Sequence, residues 1–125
     1  MSAPSPARWI YKILRPDEDA ALRAAGRTLG APIDLADGYV HLSAADQVQE
    51  TLARHFAAAG PLLLLKIDPE ALPAGALRWE PSRGGALFPH LYAPLPLSAV
   101  AETTALQPDA AGAHLLLAPL ADARA

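Results

Sequence analysis

The order of its periodic segments constrains this chain more than any other feature of the sequence. A segment rich in β-branched and aromatic residues predicts a strand at Trp9–Leu14, and a helix follows that starts at Pro16 and stops at Gly26. A second strand, Tyr39–Leu42, leads directly into a second helix. Strands alone are predicted after it, at Leu62–Ile67, Leu77–Glu80, Leu87–Tyr92 and Leu95–Val100. This order favours an α+β fold with a split, mostly antiparallel sheet and two main helices.

Local signals refine this outline. Asp34 to Gly38 predict a polar turn, and Ser43 is predicted to cap the second helix, with Asp46 in place of the usual Glu or Gln of a capping box. The buried stripe of that helix is predicted at Val48, Leu52 and then His55 or Phe56. Pro89, Pro94 and Pro96 cannot donate to a strand ladder, so the last strands are expected at a sheet edge or at bulges.

Composition excludes several classes of function. The chain has 125 residues, a net charge of −3 and no cysteine, which rules out disulfides, zinc–thiolate sites, iron–sulfur clusters and thiol catalysis. Ten basic residues give no basic surface for general nucleic-acid binding. The apolar run Leu62 to Leu65 is too short to cross a membrane, and Met1 to Arg8 lack the apolar core of a signal peptide. We therefore expect a cytoplasmic protein.

A single domain is expected over residues 9–106, after a lead-in at residues 1–8. Residues 107–125 form an Ala/Pro-rich tail, of which His114 to Leu117 is expected to pack as an extra element. His114 itself has no evident partner in the sequence, and the oligomeric state stays open.

Three polar clusters are candidates for a functional site. Tyr39, His41 and Ser43 are two residues apart, so an extended chain places their side chains on one face. A core histidine and a helix cap are the structural alternatives for His41 and Ser43, and His55 is interpreted as structural.

The other two clusters lie later in the chain. Glu80 follows Trp79, and the indole ring is expected to lower the hydration of the Glu80 carboxylate. Arg78 and Arg83 are the nearby cations. The structural alternative for Glu80 is an ion pair at the surface. His90 and Tyr92 share one face of their strand, where edge packing is the alternative.

Two site types have weaker support. His41, His90 and Glu80 contain the residue types of a two-histidine, one-carboxylate metal site, but they lack the local spacing of a metal motif, and no metal is expected. A Ser–His–Asp hydrolase is disfavoured because the sequence has no nucleophile elbow.

Five segments together resemble a known bacterial family, the one called domain of unknown function 952. They are Ile10–Ile13, Gly38–Ser43, Asp46–Val48, Arg78–Glu80 and Phe88–Tyr92. The resemblance spans about residues 9–100. The architecture of that family is similar to the ADP-ribosyltransferase fold, and the resemblance therefore implies a nucleotide-like ligand, NAD above all, in a central cleft.

The resemblance also implies roles for individual residues. His41 and Ser43 would line the ribose and nicotinamide pocket, and Arg83 would meet the pyrophosphate. Glu80 would bind a ribose hydroxyl or stabilise positive charge at the anomeric carbon. The set of ligand-binding candidates is completed by Tyr11, Lys12, Tyr39, Trp79, His90 and Tyr92. Two features depart from the superfamily pattern: the first strand lacks a His-Gly-Thr signature, and Glu80 precedes the final strands.

Three hypotheses result. The first is an enzyme of ADP-ribosyltransferase type, with His41 and Glu80 as catalytic residues and NAD as substrate. The second is a domain that binds a nucleotide or small metabolite without turnover, and the third is a metal-dependent hydrolase.

Overall fold

Three antiparallel sheets, one of them a two-stranded ribbon, and three α-helices form the molecule, as described for residues 8–116 and 119–122 of a computed structural model, apart from the side chain of Arg83. The larger sheet contains β1 (Ile10–Leu14), β4 (Ser43–Ala44), β5 (Leu62–Ile67) and β9 (Val100–Leu106), in the order β4-β1-β5-β9. The second sheet has the order β3-β7-β6, with β3 at Val40–His41, β6 at Leu77–Pro81 and β7 at Leu87–Leu91. The predicted α+β class and the mostly antiparallel pairing are confirmed.

The remaining elements pack around these sheets. The helices are α1 (Pro16–Ala25), α2 (Pro32–Asp37) and α3 (Val48–His55), and a short ribbon pairs β2 (Arg27–Thr28) with β8 (Leu95–Pro96). Within the described ranges, no helix has the length and apolar character that a membrane span requires.

The central strand β1 divides the core into two clusters. Its side chains alternate, so Ile10 and Leu14 enter a cluster with β5, β7 and α1, while Tyr11 and Ile13 pack with α3 on the other face. Lys12 points to the same side as Ile10 and Leu14 and is only 5% exposed. A lysine at such a position needs a buried partner.

That partner is Asp34, which lies in α2 and is 1% exposed. Its Oδ2 atom accepts hydrogen bonds from Lys12 Nζ at 2.8 Å and from the Ala31 amide at 2.7 Å. The expected polar turn over residues 34–38 is therefore wrong, because Pro32 starts a helix here and Gly38, with φ of 85°, ends it.

The expected continuous strand Tyr39–Leu42 is also wrong, because the chain changes sheets at Leu42. Val40 and His41 pair with β7, whereas Ser43 and Ala44 pair with β1. Ser43 is not the expected helix cap, because it lies in β4 one residue before the N-cap position Ala44 and its hydroxyl contacts Thr51 Oγ1. A 3-10 turn, Ala45–Gln47, precedes α3 instead, and the Gln47 side chain accepts from the Ala44 amide at 2.9 Å.

Two further expectations about the last strands fail. The chain forms a 3-10 turn at Leu97–Ala99, and the strand that follows, β9, was not predicted. β7 is central rather than at an edge, although it contains Pro89. The Pro89 carbonyl accepts a hydrogen bond from the amide of Leu42, the residue after the end of β3. In a strand the nitrogen and the carbonyl of one residue point to the same side, so the Pro89 nitrogen, which has no proton, also faces the chain beyond β3.

The described part of the tail packs against α3 and β1. Leu116 and Leu120 join the second core cluster, and Tyr11 donates its hydroxyl proton to the Ala121 carbonyl at 2.6 Å. His114 is buried with Nε2 at 2.5 Å from the Gly60 carbonyl, so it has a partner that the sequence did not indicate. Leu117, the end of the expected packing segment, lies outside the described residues.

Gly30 provides a test of this packing. It has φ of 98°, and a Cβ atom at this position would overlap the Asp34 carboxylate. We expect Gly30→Ala to destabilise the protein by about 3 kcal/mol or more, because a left-handed alanine costs 1–2 kcal/mol and the buried ion pair must also shift. Gly26→Ala is the matched control: Gly26 has φ of 79° but open space around it, so only the backbone cost of roughly 1–2 kcal/mol applies. Urea unfolding measures both, and equal losses would contradict the expectation.

Candidate functional site

Two histidines face each other across neighbouring strands. His41 in β3 and His90 in β7 are register partners, so their side chains leave the sheet on the same side. Their ring centroids are 5.6 Å apart and the rings are nearly perpendicular. The fold thus joins two of the polar clusters that are 49 residues apart in the sequence.

Carboxylates hold both ring nitrogens of His41. Nδ1 lies 2.5 Å from Asp34 Oδ1, and Nε2 lies 3.0 Å from Asp37 Oδ2. The His41 amide also donates to Asp34 Oδ1 at 2.9 Å. Both ring nitrogens therefore face carboxylate oxygens, and the contact at Nδ1 is a hydrogen bond.

Asp34 stays ionised in this buried position. Burial alone raises its pKa, but the hydrogen bonds from His41 and the charge and hydrogen bond of Lys12 outweigh it and lower the pKa from 3.8 to about 2. Lys12 also donates to the His41 carbonyl at 2.9 Å. The ring and the backbone of His41 are therefore fixed by the same buried ion pair.

His90 is held from behind by Glu80. Its Nδ1 atom is 2.8 Å from Glu80 Oε1, which also accepts the Tyr92 hydroxyl at 2.6 Å. The bonds from Tyr92 and His90 lower the pKa of Glu80, and the bond to Glu80 raises the pKa of Tyr92. A carboxylate that accepts at Nδ1 leaves Nε2 of a neutral ring as a hydrogen-bond acceptor.

Tyr39 packs against both histidines. Its ring centroid lies 4.5 Å from His41, 4.2 Å from His90 and 5.1 Å from Tyr92. Burial, with the charges of Asp37, Glu80 and Asp34, raises the pKa of Tyr39. The aromatic ring thus supports both imidazoles while it remains a neutral phenol.

A groove of about 960 Å³ opens in front of the two histidines, and we call it the histidine groove. Besides His41 and His90, it is lined by polar side chains that include Ser43, Thr51 and Asp37. Its apolar walls are formed by Ile13, Pro32, Ile33, Leu42, Phe56 and Phe88. This combination of apolar walls and a few converging polar groups is typical of sites for small molecules.

The candidate residues from the sequence divide into groups. Tyr11, Lys12, His41, Ser43 and His90 line the histidine groove. Tyr39 and Tyr92 line a smaller pocket of about 350 Å³ beside it, which we call the tyrosine pocket. Glu80 and Trp79 line neither cavity. The predicted role of Arg83 falls on a side chain outside the described part of the chain.

Comparison with known proteins places this fold in a family. The sequence matches the family described as Protein of unknown function (DUF952) over residues 13–103. The chain belongs to this family. No curated protein matches the sequence.

Solved structures of one relative match closely. The crystal structure of protein CC0527 from Caulobacter crescentus is 49% identical, with 86% of this chain and 94% of that chain covered and a TM-score of 0.82. A crystal structure of a double mutant of CC0527 also has a TM-score of 0.82, and its solution NMR structure has 0.73 at 50% identity, with 84% of this chain and 90% of that chain covered. None of these descriptions states an activity or a ligand, so they give the ADP-ribosyltransferase resemblance no support.

Three residues around the two histidines were not singled out in the sequence. Asp37 and Thr51 line the histidine groove, and Asp34 lines the tyrosine pocket. Asp34 and Asp37 were assigned to a turn, and Thr51 was not considered. Pro32 and Gly38, six residues apart, are the signal that could have revealed α2, because proline favours the first helical position and glycine the residue after the end. With α2 in place, the two aspartates lie next to the following strand.

Among the described residues, no three His, Cys, Asp or Glu side chains are arranged to hold a metal ion. The set His41, His90 and Glu80 fails because the carboxylate bonds to Nδ1 of His90 and lies outside the groove. The metal-dependent hydrolase hypothesis therefore gains no support.

The role of Asp34 can be tested by titration. Because its folded pKa is depressed from 3.8 to about 2, its contribution is present above pH 4 and is lost as pH falls through 2. Asp34→Asn is expected to cost about 3–5 kcal/mol near neutral pH, since it leaves Lys12 buried without a counter-charge.

The difference in the free energy of unfolding between the wild type and Asp34→Asn should decrease by about 2 kcal/mol as the pH falls from about 4 to about 2. Denaturant unfolding at each pH measures it. Glu50→Gln, at an exposed helix position, is the control and should cost under about 0.5 kcal/mol at every pH. A loss for Asp34→Asn that does not change with pH would contradict the assignment.

Proposed function

We propose that the histidine groove is the active site of an enzyme that acts on a small, nucleotide-like molecule, with His90 as general base and His41 as the residue that orients the sugar. The observation that carries this proposal is the in-register pair of histidines, each with Nδ1 on a carboxylate. A carboxylate behind an imidazole fixes its tautomer and its orientation, which general acid–base catalysis requires.

The two rings have different surroundings. His90 has one carboxylate at Nδ1, and its Nε2 atom has no hydrogen-bond partner among the described residues. His41, in contrast, has a carboxylate next to each of its ring nitrogens. His90 therefore offers a ring nitrogen to a substrate, whereas the protein itself occupies both ring nitrogens of His41.

NAD is the substrate we put first. The groove has a volume suited to a nucleoside-sized group, and Phe56 and Phe88 offer apolar surface for a planar ring. The reaction would be hydrolysis at the anomeric carbon. The C1′–N bond breaks and nicotinamide leaves as a neutral molecule, while water gives a proton to His90 and forms the new C1′–O bond. A nearby carboxylate stabilises the positive charge that develops at this carbon. Asp37 lines the groove and is better placed for this role than Glu80, which lies behind His90.

Glu80 then acts as a positioning residue. It bonds to Nδ1 of His90 and to the Tyr92 hydroxyl, and it does not line the groove. Its function in this proposal is to hold the tautomer of His90 that leaves Nε2 free to accept a proton.

A domain that binds a ligand without turnover is the second candidate. It is favoured by the fact that both ring nitrogens of His41 already face carboxylates of the protein. Such a ring can shape a pocket without transferring protons. The two candidates differ in product formation, because only the enzyme releases nicotinamide from NAD.

The test is His90→Asn. The asparagine amide can replace Nδ1 as the donor to Glu80, but nothing replaces Nε2. We expect binding of NAD or ADP-ribose to raise the melting temperature of the wild type by several degrees at about 100 times Kd. Nicotinamide release should fall at least about 100-fold in His90→Asn, since general base catalysis contributes 10²–10⁴-fold.

Glu50→Gln again serves as the control, with activity equal to that of the wild type. Retained activity in His90→Asn would contradict the catalytic assignment. Ligand binding without nicotinamide release would favour the second candidate, and the absence of both binding and release would exclude NAD.

A further inference from the structure

A directed chain of hydroxyl groups lies on the floor of the histidine groove. Thr51 Oγ1 donates its proton to the Gln47 carbonyl at 3.0 Å, because a carbonyl only accepts. Ser43 Oγ lies 3.3 Å from Thr51 Oγ1. Since the only proton of Thr51 is already used, the proton between these two oxygens must come from Ser43.

This direction fixes what Ser43 offers to a ligand. A hydroxyl has one proton and two lone pairs, and the Ser43 proton points to Thr51. Ser43 lines the groove and is 5% exposed, so its oxygen is held in place. It therefore presents an acceptor and no donor.

Several neighbouring groups in the groove lining are also hydrogen-bond acceptors. Nε2 of His90 is an acceptor when Nδ1 donates to Glu80, and Asp37, Asp17 and Glu18 add three carboxylates to the lining. The charge of Lys12, one of the two cations of known position in the lining, is offset by Asp34 at 2.8 Å.

The other cation, Arg15, lies away from the floor. Its guanidinium is 5.0 Å from the centre of the Phe56 ring and 3.9 Å from Glu18. His55, also in the lining, is exposed at the end of α3. The floor around Ser43 and His90 is thus rich in acceptors and has no unpaired cation among the described side chains.

We infer that this floor selects ligands whose entering group donates hydrogen bonds and is neutral or positively charged, such as a primary amide, an amidine or an amine, and rejects carboxylates and phosphates. The inference rests on the proposed function only in taking this groove as the binding site. For a dinucleotide, it places the donor-bearing end on the floor and the phosphates outside it.

Benzamidine, benzamide and benzoate provide the test. They share one ring and one shape, and their polar groups are a cationic donor, a neutral donor and an anionic acceptor. Titration followed by amide NMR shifts should show benzamidine and benzamide binding beside Ser43 and His41. Benzoate should bind at least about tenfold more weakly, because it puts acceptors against acceptors.

Two variants test the hydroxyl chain. Ser43→Ala removes the acceptor and should weaken benzamide and benzamidine about tenfold, without improving benzoate. Thr51→Val keeps the shape of the side chain but frees the Ser43 proton, so the preference for benzamide over benzoate should narrow several-fold. Ser98→Ala, at an exposed site away from the groove, should leave all three affinities unchanged.

The outcomes separate this inference from the proposed function. Benzoate binding as tightly as benzamide, or no shift in the groove with any of the three compounds, overturns the selectivity, even where His90→Asn abolishes turnover of NAD. The expected order of affinities with full activity in His90→Asn supports the selectivity and overturns the catalytic role instead.

Discussion

The buried carboxylate of Asp34 is the interaction on which the rest of the structure depends. It accepts from Lys12 in the larger sheet, from Ala31 at the start of α2, and from the backbone and ring of His41 in the second sheet. Burying one charge alone costs several kcal/mol, and only a full set of hydrogen bonds offsets this. Four bonds to one carboxylate provide that set, and they also fix how the two sheets meet.

The same carboxylate, that of Asp34, therefore serves both the stability of the fold and the geometry of the candidate site. A core built only of apolar residues would pack β1 as well, since replacing buried ion pairs with hydrophobic side chains is often neutral. An apolar residue at position 34 could not, however, orient the imidazole of His41 or compensate Lys12. The buried pair is therefore better explained by the geometry it imposes on the groove than by the stability it adds.

The sequence predicted elements with strong local signals and missed those fixed by distant contacts. α1 and β5 were confirmed because a helix stop at Gly26 and the apolar run Leu62–Ile67 need no tertiary information. The crossing between sheets at Leu42 could not be predicted, since periodicity does not tell which strand a residue pairs with. β9 was missed because Val100–Leu106 mixes alanine and glutamate with threonine, and its strand form depends on pairing with β5.

The candidate site shows the same division. Residue type and strand spacing indicated His41, Ser43 and His90, which the fold brings to one groove. The spacing could not show which cavity a side chain lines. Tyr39 is two residues before His41, yet its ring packs against both histidines and lines the tyrosine pocket instead of the histidine groove. Glu80 is likewise behind the ring that it holds. The two histidines therefore lie between the histidine groove and an inner layer of carboxylate and phenol groups that holds their Nδ1 atoms. A substitution behind the rings changes the groove only through them.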